Sequence, residues 1–387
     1  MNIFVSSVVA PVLRTSTALF KLRHLAIMIC IKVFGLNLTS WAIIIHTRGE
    51  FMSQSIPLIR AASIAPMHRW LVEAGHDPAP FMTRAGLEWI STGDPLLPIP
   101  LSGAVRLLVD IARTDGPDTP WRIARGRGGY EIGFIGAAAL MGPTVRAGFR
   151  RLSQSMPVHS THEIFAVQTD GPGITINDGW TLNLGEDEVL HYVQQYVASL
   201  VDMICSEATG FPTSIATLGL VPHPSEGVSH LEPFLGERVG GRKDRLLDIA
   251  IDGQVADCLM PESVRERASE IADPTVPPLK LGNCLADDVV TLLASMLPRT
   301  KPSVDAVAAA ADMSSRTFKR RLREEGKSFS GLVEGTRASM AIARLEEPAP
   351  PLLKDLATEL GYANQETLTR AMRRWTGKPP RELTSSS

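Results

Sequence analysis

Two segments near the C-terminus constrain this chain more than any other feature, because each reads as a short helix, a tight turn and a second, basic helix. The first runs Val304–Ala311, then Asp312-Met313-Ser314, then Ser315–Arg323. Ala308 is small where two helices must cross closely. The hydroxyl of Ser314 or Ser315 suits the cap of the second helix, where it accepts a backbone N–H. Phe318 and Leu322, four apart, face a core together. Arg316, Lys319, Arg320 and Arg323 follow the i, i+3, i+4, i+7 spacing that gathers four cations on the other face. The second unit repeats the plan with Leu353–Leu360, Gly361-Tyr362-Ala363 and Asn364–Trp375. Its apolar side is Leu368, Met372 and Trp375. Glu366, Arg370 and Arg373 share the opposite side, flanked by Gln365 and Thr369.

Phe329–Glu346 lies between the units and predicts a bridging helix about 27 Å long at about 1.5 Å per residue. One turn of B-DNA is about 34 Å, so such a bridge suits two helices placed in successive major grooves on one face of a duplex. A lone basic amphipathic helix is usually a solvated surface. A tandem pair with a bridge of this length is a more demanding pattern, and it points to nucleic acid. Charge agrees with that reading. Residues 299–387 hold 16 Lys and Arg against 11 Asp and Glu, so this block is +5 and the remainder of the chain, whose total is −2, is −7. Only the C-terminal block is suited to a polyanion.

Ala308 through Gly326, Leu356-Ala357 with Leu360-Gly361-Tyr362, and Leu368 through Gly377 with Pro380 closely resemble the C-terminal domain of AraC/XylS-type transcription regulators. The resemblance covers about Leu285–Leu383. It implies two helix-turn-helix motifs that contact double-stranded promoter DNA directly, with RNA polymerase as a further partner, and the scattered cysteines fit a reducing, cytoplasmic location. By position it makes Arg316, Lys319 and Arg320 contacts of the first recognition helix, and Gln365, Glu366, Thr369 and Arg370 contacts of the second. Arg323 and Arg373 join them by helical spacing. Leu368 and Met372 stand where the family commonly has Phe, and both keep the position apolar.

Residues 56–261 carry mixed signals. Ala65–Ala74, Leu101–Thr114 and Thr144–Met156 read as helices, and Glu188–Glu207 is the strongest, with Leu190, Val193, Val197, Leu200, Val201 and Ile204 on one stripe and Gly210 as its stop. A hairpin is expected at Ile174–Leu182, turning at Asn177-Asp178-Gly179, and another at Leu247–Leu259 around Asp252-Gly253. Ile56-Pro57-Leu58, Ala74 through Pro78, Ile99-Pro100-Leu101, Gly133 through Gly136 and His223-Pro224 resemble the "arabinose-binding" N-terminal domain found in one branch of the same family. That likeness implies a module that senses a small-molecule effector or forms a homodimer, and it does not imply arabinose. The expected architecture is therefore an α+β sensing or dimerisation domain over 56–261, a linker over 262–284, and an all-α DNA-binding domain with two helix-turn-helix motifs over 285–387.

Residues 1–51 form a hydrophobic leader. Leu25–Ile45 holds Lys32 as its only charge and has the length of a membrane span. It reads either as an anchor or as sequence upstream of a start at Met52, and the second is favoured. No catalytic, metal or cofactor site is expected. Cys30, Cys205, Cys258 and Cys284 form no C-x-x-C pair, and none sits beside the basic or histidine-rich motif that activates a thiolate. That weighs against a methyl-accepting repair enzyme carrying this kind of DNA-binding module. His159 and His162 lack a third ligand and are expected to be structural, in a loop. Gly126-Arg127-Gly128-Gly129 lacks the Lys-Ser/Thr of a phosphate loop and is expected to be a turn.

Overall fold

A computed structural model describes residues 55–90, 93–125, 129–169, 171–272, 275–280 and 282–383. The leader, including Leu25–Ile45 and Cys30, lies outside them, as does Gly126-Arg127-Gly128. Among the described residues no helix is long and apolar enough to cross a membrane.

The body opens with a two-stranded ribbon. β1 (Leu58–Arg60) pairs antiparallel with β2 (Pro98–Pro100), with Ile59 opposite Ile99. Prolines end the ribbon because they cannot donate to a further strand. Between the strands lie α1 (Ala65–Glu73) and α2 (Pro78–Ala85), the latter capped by the Asp77 carboxylate, which accepts from Ala79 N–H at 3.0 Å. After β2 come α3 (Leu101–Asp115) and α4 (Thr119–Ala124). α5 (Phe134–Leu140) and α6 (Val145–His159) follow. α6 passes through Pro157 and ends at His159, three residues beyond expectation, so His159 sits on a helix terminus rather than in a loop.

The sheet is β3 (Glu163–Gln168), β4 (Ile174–Trp180), β5 (Thr217–Leu220), β6 (Val239–Gly241) and β7 (Leu247–Ile251), ordered β3-β4-β7-β5-β6. All neighbours are antiparallel except β5 and β6. Both expected hairpins are corrected here. Asn177-Asp178-Gly179 lies within β4, all three paired with β3 and the first two also with β7. The reversal lies upstream: Gly171 has φ +110°, and a Cβ on Gly173 would meet the Ile251 carbonyl oxygen at 2.5 Å. Asn177 tolerates the interior because its amide bridges the neighbours, accepting from Gln168 at 2.9 Å and donating to Asp248 at 2.8 Å. Asp252-Gly253 likewise leads from β7 into a short helix, α9 (Gly253–Ala256), and not into a second strand.

The long helix α7 (Asp187–Thr209) ends at Gly210, as its sequence requires, but it is covered on nearly every side. Its polar face ties loops to the core. Gln195 accepts from Trp121 N–H, Gln194 accepts from Val221 N–H, and Asp202 accepts from Ser214 and Ile215 N–H. α8 (Glu232–Leu235) precedes β6, and α10 (Glu262–Ile271) packs against α5. From there the chain is helical: α11 (Leu285–Met296), α12 (Val304–Ala310), α13 (Ser315–Glu324), α14 (Phe329–Leu345), α15 (Leu353–Glu359), α16 (Gln365–Thr376) and α17 (Pro380–Leu383). An α+β body followed by an all-helical C-terminal part is the fold class that the sequence predicts.

Candidate nucleic-acid interface and the cavity behind it

In the first unit the turn is local chemistry. Ser303 caps α12 by accepting from Ala306 N–H at 3.0 Å, and Asp312 takes a left-handed φ of 51° between α12 and α13. Of the two candidate caps, Ser314 fills the role and accepts from Thr317 N–H at 3.2 Å. Phe318 and Leu322 are buried, which turns Arg316, Lys319, Arg320 and Arg323 outward, and all four are exposed. Arg320 pairs with Glu324 at 2.6 Å across one turn. Both partners are more than half exposed, so the pair contributes at most about 1 kcal/mol and leaves Arg320 free to exchange a carboxylate for a phosphate or a base.

The second unit has the same construction. Gly361 supplies φ +72° between α15 and α16, and the Asn364 side chain caps α16, accepting from Thr367 N–H at 2.9 Å. Leu368 and Met372 are fully buried, so the aliphatic replacements fill the core. Gln365, Glu366, Arg370 and Arg373 are exposed, whereas Thr369 is half-buried and its hydroxyl already donates to the Gln365 carbonyl at 2.8 Å. Arg374 pairs with Glu334 of α14, and Trp375 Nε1 donates to the same carboxylate at 3.3 Å. These two bonds fix α16 to the bridge, a role for Glu334 that its sequence context did not signal.

The first unit is joined to the body. Glu325, just after α13, accepts from Leu285 and Ala286 N–H at 3.0 and 2.9 Å, so it caps α11. Asp288 on α11 accepts from Ile56 N–H at 3.0 Å and Gly282 N–H at 2.8 Å, and burial raises its pKa to about 6. Ser102 on α3 donates to the Ala310 carbonyl at 3.2 Å, and Arg299 pairs with Asp94 at 2.8 Å. The apolar core is correspondingly continuous from Leu108 and Ile111 through Leu292 to Phe318.

Behind α3 lies a cavity of about 90 Å³, lined by Ala104, Val105 and Leu108 of α3, Val193, Val197 and Leu200 of α7, and Leu152 and Met156 of α6. Leaving such a space empty costs about 2 kcal/mol at about 24 cal/mol per Å³. One wall is polar. His159 ends α6, Glu163 and Trp180 are directly opposite across β3 and β4, and Ser63 accompanies them. Burial lowers His159 to about 3, with Arg60 adding to the effect, so its ring is neutral. Glu163 and the buried Asp178 are both raised, by burial first, and Asp178 also by the neighbouring Glu163 charge. Ser63 Oγ, His159 Nδ1 and Trp180 Nε1 are buried without a hydrogen-bond partner. Arg60 keeps its charge but directs three N–H donors at the carbonyls of Val158 (3.0 Å), Pro277 (2.7 Å) and Leu96.

His162 is buried and bonded to Thr161 at 2.6 Å and Ser55 at 3.2 Å, so the His159/His162 spacing brings no ligand pair together. A histidine cluster that sequence spacing did not indicate does form. His191 Nε2 lies 2.9 Å from His230 Nε2, while His223 Nε2 meets the Tyr192 hydroxyl at 3.1 Å. His191 Nδ1–H donates to Val221 at 2.6 Å, and His223 Nδ1 accepts from the Glu226 amide at 3.2 Å, which occupies those two rings with protein partners, whereas His230 Nδ1 is buried without one. Among the described residues no group of His, Cys, Asp and Glu is placed to hold a metal ion. Burial raises the thiols of Cys205 and Cys284, the opposite of nucleophile activation.

Residues 307–386 match the family described as a helix-turn-helix domain, and residues 75–220 match the N-terminal arabinose-binding domain of AraC transcription regulators. The HTH-type transcriptional regulator VirS of Mycobacterium tuberculosis is 28% identical over 335 residues, 84% of this chain and 96% of its own length. The HTH-type transcriptional regulator VqsM of Pseudomonas aeruginosa is 32% identical over 97 residues, 25% of this chain and 30% of its own. Among solved structures, the transcriptional regulator CdpR from Pseudomonas aeruginosa aligns over 83% of this chain and 97% of its own at 15% identity, with a TM-score of 0.38.

Proposed function

This chain is an AraC-type transcription regulator with a helix-turn-helix domain and an arabinose-binding-like effector domain, and on that premise we propose that α13 and α16 read two sub-sites in successive major grooves. The observation that carries this reading is the pair of exposed polar helix faces joined by α14. At 17 residues that helix is about 25 Å long. In the first sub-site Arg316, Lys319 and Arg320 contact bases and phosphates, with Arg323 on the backbone. In the second, Gln365, Glu366 and Arg370 do so, with Arg373 on the backbone. Thr369 contributes its methyl group, since its hydroxyl is engaged. Residues 285–387 form the reading domain, and 56–261 sense a small-molecule effector or pair two copies. The regulator acts in the cytoplasm on promoters served by RNA polymerase.

Footprinting on a natural operator tests the two-groove arrangement. Each protomer protects two sub-sites about one helical turn apart. Inserting about five base pairs between them turns one to the far face of the duplex and weakens binding sharply. Unchanged affinity for the altered operator means that a single motif reads DNA.

A further inference from the structure

The cavity behind α3 differs from a sugar site in its chemistry. A pentose carries several hydroxyl groups, and each costs free energy if buried without a partner. Here aliphatic side chains from α3, α6 and α7 make most of the wall, and polar groups are confined to one end. The volume, at about 10–15 Å³ per water-sized occupant, leaves room for about six to nine non-hydrogen atoms. The polar end is equally selective. Among the described lining residues no side chain brings a cation, since His159 is neutral and nearby Arg60 is not part of the lining and directs three of its N–H donors at carbonyls. A carboxylate there would face Glu163, with Asp178 behind it, and meet no cation in the lining.

We propose that this cavity is the effector site and that it takes a compact, mainly apolar molecule with one hydrogen-bond-donating head group, an amine or an alcohol, in preference to a sugar or a carboxylate. The head group meets Glu163, and the apolar part lies between α3 and α7. This assignment rests on the reading of residues 56–261 as an effector-sensing domain. It also supplies a route to DNA. Ala104, Val105 and Leu108 face the cavity. Ser102, about a third of a turn round the same helix, bonds the Ala310 carbonyl of the first helix-turn-helix unit, and next to it Arg106 feels the charge of Asp312. An occupant that shifts α3 therefore shifts the support of α13.

Calorimetry on the full chain tests the site with benzylamine, benzyl alcohol, benzoate and L-arabinose, which share a similar size. The two donors bind at least ten-fold more tightly than benzoate, and arabinose does not bind. Ala104→Leu fills the space and weakens both donors at least ten-fold. Glu163→Gln keeps the shape, so it weakens benzylamine at least ten-fold and benzyl alcohol less than three-fold, and it serves as the second variant if Ala104→Leu fails to fold. Binding of arabinose or benzoate as tight as that of benzylamine, or binding of the donors indifferent to these substitutions, overturns the assignment, as does failure of both donors to bind. A separate readout concerns the effector reading. Donors that bind in the cavity yet leave affinity for a promoter fragment unchanged refute the sensing role and leave the binding site standing.

Discussion

The two helix-turn-helix units are built to one plan and supported in different ways. The first has no core of its own: Val307, Ala308, Phe318 and Leu322 belong to an apolar cluster that continues through α11 into α3 and α1. The second closes on a small separate cluster of Ala341, Leu345, Leu356, Ala357, Leu360, Leu368 and Met372. The exposed faces of α13 and α16 look alike, yet α13 stands on the α+β body and α16 stands on the bridge. Whatever perturbs the body reaches the first unit through packing, whereas the cluster under the second is shared with α14.

The strongest test of that contrast is a pair of core truncations. Phe318→Ala removes a fully buried ring and is expected to cost about 3–5 kcal/mol. Because its core is shared, it lowers hydrogen-exchange protection in α3 as well as in α13. Met372→Ala costs about 2–5 kcal/mol and loosens α15, α16 and the end of α14 that carries Ala341 and Leu345, but not α3. Equal loss of protection in α3 for the two variants breaks the comparison.

The junction is tested next. Asp288→Ala leaves the Ile56 and Gly282 amides without their acceptor, at about 1–3 kcal/mol for each unsatisfied group. Calorimetric unfolding reads the loss. The same carboxyl gives a pH signature. Its folded pKa of about 6 lies above the unfolded value, so the native state holds the extra proton and this group's contribution to stability rises as pH falls from 6 towards 4. Asp288→Asn should lack that rise, and a parent and variant with parallel pH profiles would exclude it.

Arg320→Ala then sharpens the comparison at the DNA. Loss of a base contact costs about 1–3 kcal/mol of binding and relaxes preference in the first sub-site only. Arg370→Ala does the same in the second. Arg344 gives the smallest effect. It sits on the bridge with its guanidinium held by Glu347 and Glu359, so Arg344→Ala should change DNA affinity by less than about 0.5 kcal/mol. A larger change, at matched salt, would place the bridge itself on the duplex.

The C-terminal helices were legible because their signals are local. Ser303, Ser314 and Asn364 cap the helix that follows each of them, and the spacing of Phe318 and Leu322 needs only one helix to be read. The body resisted where partners are distant in sequence. Asn177 and Asp178 have turn chemistry, but Asn177 is satisfied from both flanking strands, by Gln168 and by Asp248, and no window of neighbours reveals that. The polar residues of α7 look like a solvated face until Trp121, Val221 and Ser214 arrive to use them. The cavity escaped notice for the same reason. Its wall is assembled from α3, α6, α7 and two strands, each contributing residues that on their own read as ordinary core.

The self-contained core of the second unit has a consequence for how such regulators change over time. Glu334, which anchors Arg374 and Trp375, and Ala341 and Leu345, which complete the small cluster, all lie on α14. A single recombination event near the start of that helix therefore carries the whole second reading head with its own foundations. A chimera taking residues 334–383 from a related regulator should acquire a new second sub-site while keeping the old effector. The first head has no comparable seam, because Glu325 and the shared core bind it to everything upstream. On the two-groove reading proposed above, operator specificity drifts by exchange at one end, and only residue by residue at the other.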